Sequence, residues 1–518
     1  MTDTNPSSRT MGTEKPMETD KPMETDKPME TDKPTTSFDV EAGSQVDALE
    51  GDISLRRVYN VWTASAYQVL MMASWTCNIV LYSTVFDLGG PMMLVYSTII
   101  VTFGQGITMA SLAELCSVYP FAGGQQSFTK ALAPVSIRRF LSYLTGWFVL
   151  LGEIATSAGC AMNNASILGS LVQLGYPSYT QERYQTWLYY TAFLFLAAVC
   201  CTSQRYLPHI SVLGAVITAV GGVIWASSFL ALSPKASAEF ALKTFINNSG
   251  YTSTGWVAIM SFYTPLYALY GTDGILHIVE EIKNPRRDAP RAMVWSMAFS
   301  GLTSLLGALV MAFCPGDWES YMEDDEPWVT WFVDTLGNGV GIAFAVIVIV
   351  FLNYLITVGV TTAASRLAWS MARDHALPFS PTFSSISARF NAPFNAVMLI
   401  IISQMIIGFV AFGSDYAFEA IVSFGNATIQ IGYIIPILML LLKGRASLPN
   451  DRAFNLGRFG LAINIASVCW TTLIIVMIFF PLYVPVNAEN IFGTLVIIIV
   501  VDWYLRAKVQ YKMLVDYE

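Results

Sequence analysis

Asp273, His277, Glu280 and Glu281 follow one another at steps of four, three and one in LYALYGTDGILHIVEEIKNPRRDAP, Leu266–Pro290. On a helix the first two share a face, one turn apart. A carboxylate and an imidazole so placed can hold a proton and pass it between them. The residues just before them offer different chemistry. Phe262, Tyr263, Tyr267 and Tyr270 are aromatic, Pro265 lacks a backbone donor, and Gly271-Thr272-Asp273-Gly274 interrupts the helical pattern. Aromatic faces attract cations, and an interrupted helix frees amide and carbonyl groups for a ligand. Phe262 to His277 lie in an apolar run of bilayer length, 257–279, and Glu280 and Glu281 follow at its end. Asp273 facing lipid there would cost about 2.5–3.5 kcal/mol. Irregular backbone at that depth is tolerated only where it is buried in protein or lines a cavity. Tyr267, Tyr270, Gly271, Thr272, Asp273 and Gly274 are therefore expected to form part of a binding site on a broken helix. The alternative is a kinked helix in which Asp273 merely pairs with a neighbour. His277 relays protons, caps Asp273, or is a satisfied structural histidine.

Other polar groups in apolar surroundings extend this set. Ser74, Thr76, Cys77 and Asn78 bring hydroxyl, thiol and amide groups into the run 66–86. Trp75 between them either stacks on an amine or packs. Glu153 lies deep in GWFVLLGEIATSAG, Gly146–Gly159. A carboxyl group buried in a bilayer can exchange a proton at ordinary pH, and on burial alone Glu153 is the leading proton carrier. Glu114, in ASLAELCSVYPFAGGQ, Ala110–Gln125, is expected to pair with Arg or Lys and to stabilise an inward gate.

The elements that must position these residues are membrane spans. Of 518 residues, 54% are hydrophobic and 13% charged, with mean hydropathy +0.51; soluble domains carry about 25% charged residues. Crossing a bilayer takes about 20 apolar residues. Twelve runs qualify: 66–86, 92–116, 140–174, 186–203, 209–232, 257–279, 292–314, 338–368, 394–412, 417–442, 457–480 and 488–508. With this count, twenty Lys and Arg residues fall in the loops of one side and three, Arg183, Lys235 and Lys243, in those of the other. The positive-inside rule then puts both termini in the cytoplasm. The acidic segment DWESYMEDDEP, Asp317–Pro327, falls outside.

Residues 1–60 are a different material. KPMETD occurs three times in tandem from Lys15 to Asp32. One apolar residue per unit cannot bury a face, so 1–60 reads as a disordered cytoplasmic tail, 61–512 as the transmembrane domain and 513–518 as a short tail. The start is polar and shows no cleavable signal peptide. The seven cysteines are expected as small buried hydrophobes without disulfides, and three scattered histidines leave little for a metal site. The net charge of −9 resides in tails and loops and carries no nucleic-acid signature. Asn247-Asn248-Ser249 is an outer-loop sequon and Asn247 a glycosylation candidate; Asn164-Ala-Ser and Asn426-Ala-Thr fall inside spans.

Twelve spans without a soluble domain and without a phosphate-binding loop suggest a secondary transporter. Further residues carry a resemblance: GGP (Gly89–Pro91), AELCSVYPFAGGQ (Ala113–Gln125), LAP (Leu132–Pro134), FLSYLTGW (Phe140–Trp147), DGILHIVEEIKNPRRDAP (Asp273–Pro290) and SRLAWSMARDHALPFS (Ser365–Ser380). In order and spacing the chain resembles a fungal permease of the amino acid/choline transporter family, within the amino acid–polyamine–organocation superfamily, over residues 60–510. The resemblance implies an all-α leucine-transporter-like fold. Helices one to five and six to ten form an inverted repeat, helices one and six are broken, and two helices follow. It implies Ser74–Asn78 and Tyr270–Gly274 as substrate contacts, and Asp273, His277, Glu280 and Glu281 as the family's acidic motif. It also implies proton symport of GABA, choline or amino acids. The first helix departs from the family's Gly-x-Gly, which keeps a cationic substrate such as choline open.

The expectation is a plasma-membrane, proton-coupled importer of a small amine-bearing solute, an amino acid or GABA in preference, with a vacuolar location as the alternative. Choline transport and a nutrient sensor that retains the fold without flux are the rival readings. No nucleophile–base pair or metal cluster points to an enzyme, and no cofactor is implied. The expected partners are the solute, a proton and the lipid bilayer.

Overall fold

The structure is a computed structural model and describes residues 55–484 apart from 73, 177 and 325. The KPMETD repeats, the run 488–508 and the tail 513–518 lie outside the described residues. The first apolar run is described as α1 (Val61–Met72), α2 (Ser74–Val80) and α3 (Tyr82–Asp87). It leads into α4 (Gly90–Val118), the short α5 (Gln125–Leu132), and α6 (Val135–Gly175). Next come α7 (Arg183–Thr202), α8 (Leu207–Leu232) and the short α9 (Ala238–Lys243). The sixth run is again a chain of pieces: α10 (Thr254–Met260), α11 (Tyr263–Ala268), α12 (Gly274–His277) and a 3₁₀ turn, Val279–Glu281. Then follow α13 (Pro285–Phe313), the loop helices α14 (Trp318–Tyr321) and α15 (Pro327–Leu336), and α16 (Asn338–Phe344). A π-helical turn, Ala345–Val350, joins α16 to α17 (Phe351–Arg373). The described chain ends with α18 (Ser380–Phe383), α19 (Phe394–Gly413), α20 (Asp415–Lys443) and α21 (Gly460–Ile478).

Nine helices among the described residues are long and apolar enough to cross a membrane. Of the eleven apolar runs that fall among the described residues, the two missing from that set are the first and the sixth, which consist of short segments. Sequence explains the starts and stops. Pro91 stands in the first turn of α4, where its missing N–H costs nothing. The residue before that helix, Gly89, takes φ +96°, and a Cβ there would lie 2.5 Å from Met93.

Small residues let the long helices touch. A Cβ on Gly152 of α6 would sit 2.6 Å from the Gly425 carbonyl oxygen of α20. Close backbone approach of this kind holds helices together where lipid removes the hydrophobic drive. Polar pairs in the interior do the rest. Asn464 Nδ2 of α21 donates to Ser111 Oγ of α4 at 3.0 Å, and Ser467 meets Thr108 at 3.1 Å. Tyr67 Oη of α1 donates to the Gly359 carbonyl of α17 at 2.8 Å.

The two faces of the bundle differ. On the basic side, Arg366 of α17 and Glu281 form a fully buried ion pair at 2.9 Å. The segment before α1 clips on beside it: Tyr59 N donates to Glu281 O and Lys283 N to Tyr59 O, both at 3.0 Å. On the opposite side an aromatic cluster of Tyr82, Trp225, Phe229, Trp331 and Phe332 closes the core. Asn247 is exposed there, with Oδ1 accepting from Ser249 Oγ at 2.6 Å and Nδ2 donating to Tyr251 O at 2.8 Å. Asn164 and Asn426 lie within α6 and α20.

Candidate functional site

The sixth run breaks between Leu269 and Asp273. Leu269 N still reaches Pro265 O at 3.1 Å, but Gly271 turns to φ +71° and α12 starts at Gly274. An unbroken helix would pair Ile275 N with Gly271 O. Both groups instead meet the side chain of Gln68, which is buried on α1. Gln68 Nε2 donates to Gly271 O, and Ile275 N donates to Gln68 Oε1 at 2.9 Å. Gly271 O also accepts from Gly274 N at 3.2 Å. The first run packs tightly here. A Cβ on Gly274 would lie 2.2 Å from Met71 Sδ and 3.3 Å from the Tyr67 ring.

Asp273, at the edge of the break, is fully buried. Its Oδ1 accepts from Tyr433 Oη of α20 at 2.7 Å, and its Oδ2 from Gln125 Nε2 of α5 at 2.7 Å. His277 Nε2 lies 3.3 Å from the same Oδ2, while His277 Nδ1 lies 3.1 Å from Ala122 O. A carbonyl only accepts, so Nδ1 carries a hydrogen. One proton is then shared along the Nε2···Oδ2 contact: the imidazole is either charged, or neutral beside a protonated Asp273. Glu153 of α6 completes the group. One oxygen each from Glu153 and Asp273 and one ring nitrogen of His277 lie within 4.8 Å of one another. Glu153 is 1% exposed, and its Oε1 has no hydrogen-bond partner among the described residues. Two carboxylates this close in a dry interior cannot both stay charged. The same three groups are candidate metal donors, but three hydrogen-bond partners, Tyr433, Gln125 and His277, already occupy the Asp273 oxygens. What remains is chiefly one Glu153 oxygen, too few for a metal shell. The arrangement suits a proton.

Glu153 opens onto a cavity also lined by Met71, Cys77, Thr156, Cys160, Tyr267, Tyr270, Gly271, Asn353, Ile356, Val360 and Ile429. The cavity is about 20 Å³, the room of one water molecule. A solute therefore enters only when the surrounding helices part. A smaller neighbour is lined by Thr76, Cys77 and Tyr267 among others. Thus Thr76, Cys77, Glu153, Tyr267, Tyr270 and Gly271 of the expected set come together. Tyr270 anchors its hydroxyl on Asn426 O. Thr272, Asp273 and Gly274 are buried behind the cavity wall.

Ser74, Trp75 and Asn78 do not line this cavity and instead meet neighbouring helices. Ser74 Oγ meets Thr303 Oγ1 at 2.6 Å, and Asn78 Nδ2 donates to the Ser304 hydroxyl and carbonyl at 3.1 and 3.2 Å. The Trp75 ring stacks on Trp225 at 5.2 Å, and its Nε1 donates to Thr218 O at 2.9 Å. It packs and leaves no face for an amine.

Residues 59–501 match the family described as amino acid permease. The chain belongs to this family. Among its relatives is a choline transporter of Saccharomyces cerevisiae, 28% identical over 91% of this chain and 85% of the relative. A putative amino acid/polyamine transporter of Macrophomina phaseolina is 27% identical over 81% and 94%. Amino-acid permease 2 of Neurospora crassa is 25% identical over 92% and 90%. The protein is a membrane permease for small organic solutes, not an enzyme.

The conspicuous motifs of this permease converge on the break. Gln125 of the AGGQ stretch holds Asp273, and Ala122 N donates to Glu280 Oε1 at 2.9 Å. Arg373 of the ARD stretch meets Glu280 at 2.6 Å, and Asp374 meets Gln126 and Lys130 at 3.3 and 3.4 Å. Glu114 sits apart, with Arg445 on both oxygens at 2.8 Å and Arg452 at 3.0 Å. Gln68, Cys160, Asn353 and Tyr433 belong to the site without having been expected there. Each is a polar side chain in an apolar run, and that is the signal that could have found them.

Cys77 is the cysteine that lines both cavities. A small cationic thiol reagent is expected to abolish uptake by this permease, and bound solute to slow the loss. Cys77→Ser should be resistant, while Cys469→Ser, at an exposed position, should remain as sensitive as the parent. Equal sensitivity of the parent and a variant with both Cys77→Ser and Cys160→Ser would place the solute path elsewhere.

Proposed function

We propose that this permease imports a small amine-bearing solute together with a proton, by alternating access across the plasma membrane. The single observation that carries the reading is Glu153, a buried carboxyl group with one free oxygen in a cavity floored by the broken sixth span and backed by Asp273 and His277. The solute's ammonium group meets Glu153 and the faces of Tyr267 and Tyr270. The proton held among Glu153, Asp273 and His277 biases the equilibrium between outward-open and inward-open forms, as a coupling ion must.

The proposal includes twelve spans in two inverted five-helix halves plus two, both termini cytoplasmic, and Glu114, Glu280 and His277 in gating or coupling. The alternation of Lys- and Arg-rich loops supports the orientation. An amino acid or GABA is the preferred solute, in keeping with the amino-acid permeases among the relatives. Choline is a second reading. It is favoured because no Lys, Arg or His stands among the described lining residues to meet a carboxylate, and because the chain is similar to a choline transporter.

The test is uptake of labelled GABA, choline, a neutral and a basic amino acid in cells lacking their own permeases, at two external pH values. Asp273→Asn runs alongside. One solute whose uptake rises at acid pH and fails in the variant supports substrate, coupling and site together. If choline is the solute, the variant should lose more choline uptake than amino acid uptake. No uptake of any solute, with the protein at the cell surface, favours a sensor.

A further inference from the structure

We propose that Gln68 is the positioning residue that keeps the sixth span broken and ties it to the first; the proposal rests on the transport reading above. The geometry is specific to one missing bond. Where the helix opens, the donor Ile275 N and the acceptor Gly271 O lose each other. A carboxamide carries one donor and one acceptor, and Gln68 inserts its own between the two: Nε2 toward Gly271 O, Oε1 toward Ile275 N. Without Gln68, Ile275 N would lack a partner in a dry interior and Gly271 O would keep only the 3.2 Å contact from Gly274 N. Gln68 is fully buried, and one turn further along α1 Met71 packs on Gly271 and Gly274. The side chain therefore does two things. It removes the incentive for the sixth span to close into a continuous helix, which would draw Gly271 out of the cavity wall. It also makes α1 and α12 move as one body, because separating them breaks both bonds.

Gln68 also shapes selection. The amide and the carbonyl that the break frees are both occupied from within the protein. A solute is left with the lining side chains of the break, not with its backbone pair.

Two substitutions separate this role from simple packing. Gln68→Met keeps the length and volume but neither donates nor accepts. Gln68→Glu always accepts from Ile275 N and donates to Gly271 O only when protonated. Transport is read as uptake at several external pH values, relative to the parent at each pH and to the amount at the cell surface. Gln68→Met is expected to be inactive throughout. Gln68→Glu is expected to be impaired at neutral pH and to recover toward the parent on acidification, a profile that a structural defect does not produce. Hydrogen–deuterium exchange of the peptide containing Ile275, in purified protein, gives a readout independent of transport. Exchange should be faster in Gln68→Met and near the parent rate in Gln68→Glu.

Parental uptake by Gln68→Met overturns the proposal. So do the absence of acid recovery in Gln68→Glu and unchanged exchange in Gln68→Met. If Gln68→Met fails to fold, the pH profile and exchange of Gln68→Glu decide. If the parent itself moves no solute, the transport reading has failed, and the exchange experiment alone judges Gln68.

Discussion

Glu153→Gln should leave a permease that exchanges its solute but no longer concentrates it. The substitution is isosteric and keeps a polar group toward the cavity, so the helix packing around Gly152 and Gly425 is untouched. It removes the one carboxyl group among the described residues of the cavity wall, a group that can both hold a proton and meet an ammonium ion. A gradient of one pH unit stores about 1.4 kcal/mol per proton, enough for about tenfold accumulation at zero membrane potential. In the variant, net accumulation is expected to fall to about onefold. Counterflow, in which labelled solute outside exchanges for unlabelled solute inside, should persist with weakened affinity. Measuring both in the same vesicles separates coupling from binding. Retained tenfold accumulation would move the proton elsewhere, to Asp273 and His277 alone. Loss of counterflow as well would make Glu153 a solute ligand without a separable coupling role.

Arg366→Leu is expected to be the most destabilising single change on the basic side. Arg366 and Glu281 are both fully buried, joined at 2.9 Å, and Arg366 Nη1 also donates to Ser365 Oγ at 3.1 Å. Taking away one partner strands a carboxylate in a dry interior, a loss of about 3–5 kcal/mol. Glu281 also accepts Tyr59 N through its backbone, so the damage should spread to the segment that leads into α1. The expected result is little protein at the cell surface and a sharply lower melting temperature in detergent. The double change Arg366→Leu with Glu281→Leu should recover most of that stability, because a buried ion pair adds little over apolar packing. A double variant as unstable as the single one would mean that the arginine acts through packing and not through charge.

The elements that sequence exposes best are those governed by local rules. Apolar runs of bilayer length become helices, and Gly271-Thr272-Asp273-Gly274 becomes an irregular turn because an aspartate and two glycines do not sustain a helix in lipid. Motif residues also point to one another: AGGQ, the Asp273–Glu281 stretch and ARD meet within hydrogen-bonding distance. Which of its two readings Trp75 follows is decided by packing that no local rule contains. Its indole lies in a slot left by glycines on two distant helices. A Cβ on Gly222 of α8 would come within 2.9 Å of Trp75 Nε1, and one on Gly307 of α13 within 2.9 Å of its Cβ. Ser74 and Asn78 follow the same side of α2 and spend their hydrogen bonds on α13. Gln68 escaped notice because a lone amide in an apolar run acquires meaning only when its partner is a helix broken some two hundred residues later.

The most direct test of coupled transport is solute accumulation by purified protein in sealed vesicles, with the membrane potential clamped at zero. An inside-alkaline gradient of one pH unit should drive about tenfold accumulation of the transported amine, collapse on adding a protonophore, and be unaffected by replacing sodium with another cation. Accumulation that follows a sodium gradient, or uptake that only equilibrates whatever the pH gradient, would contradict proton coupling through the Glu153–Asp273–His277 group.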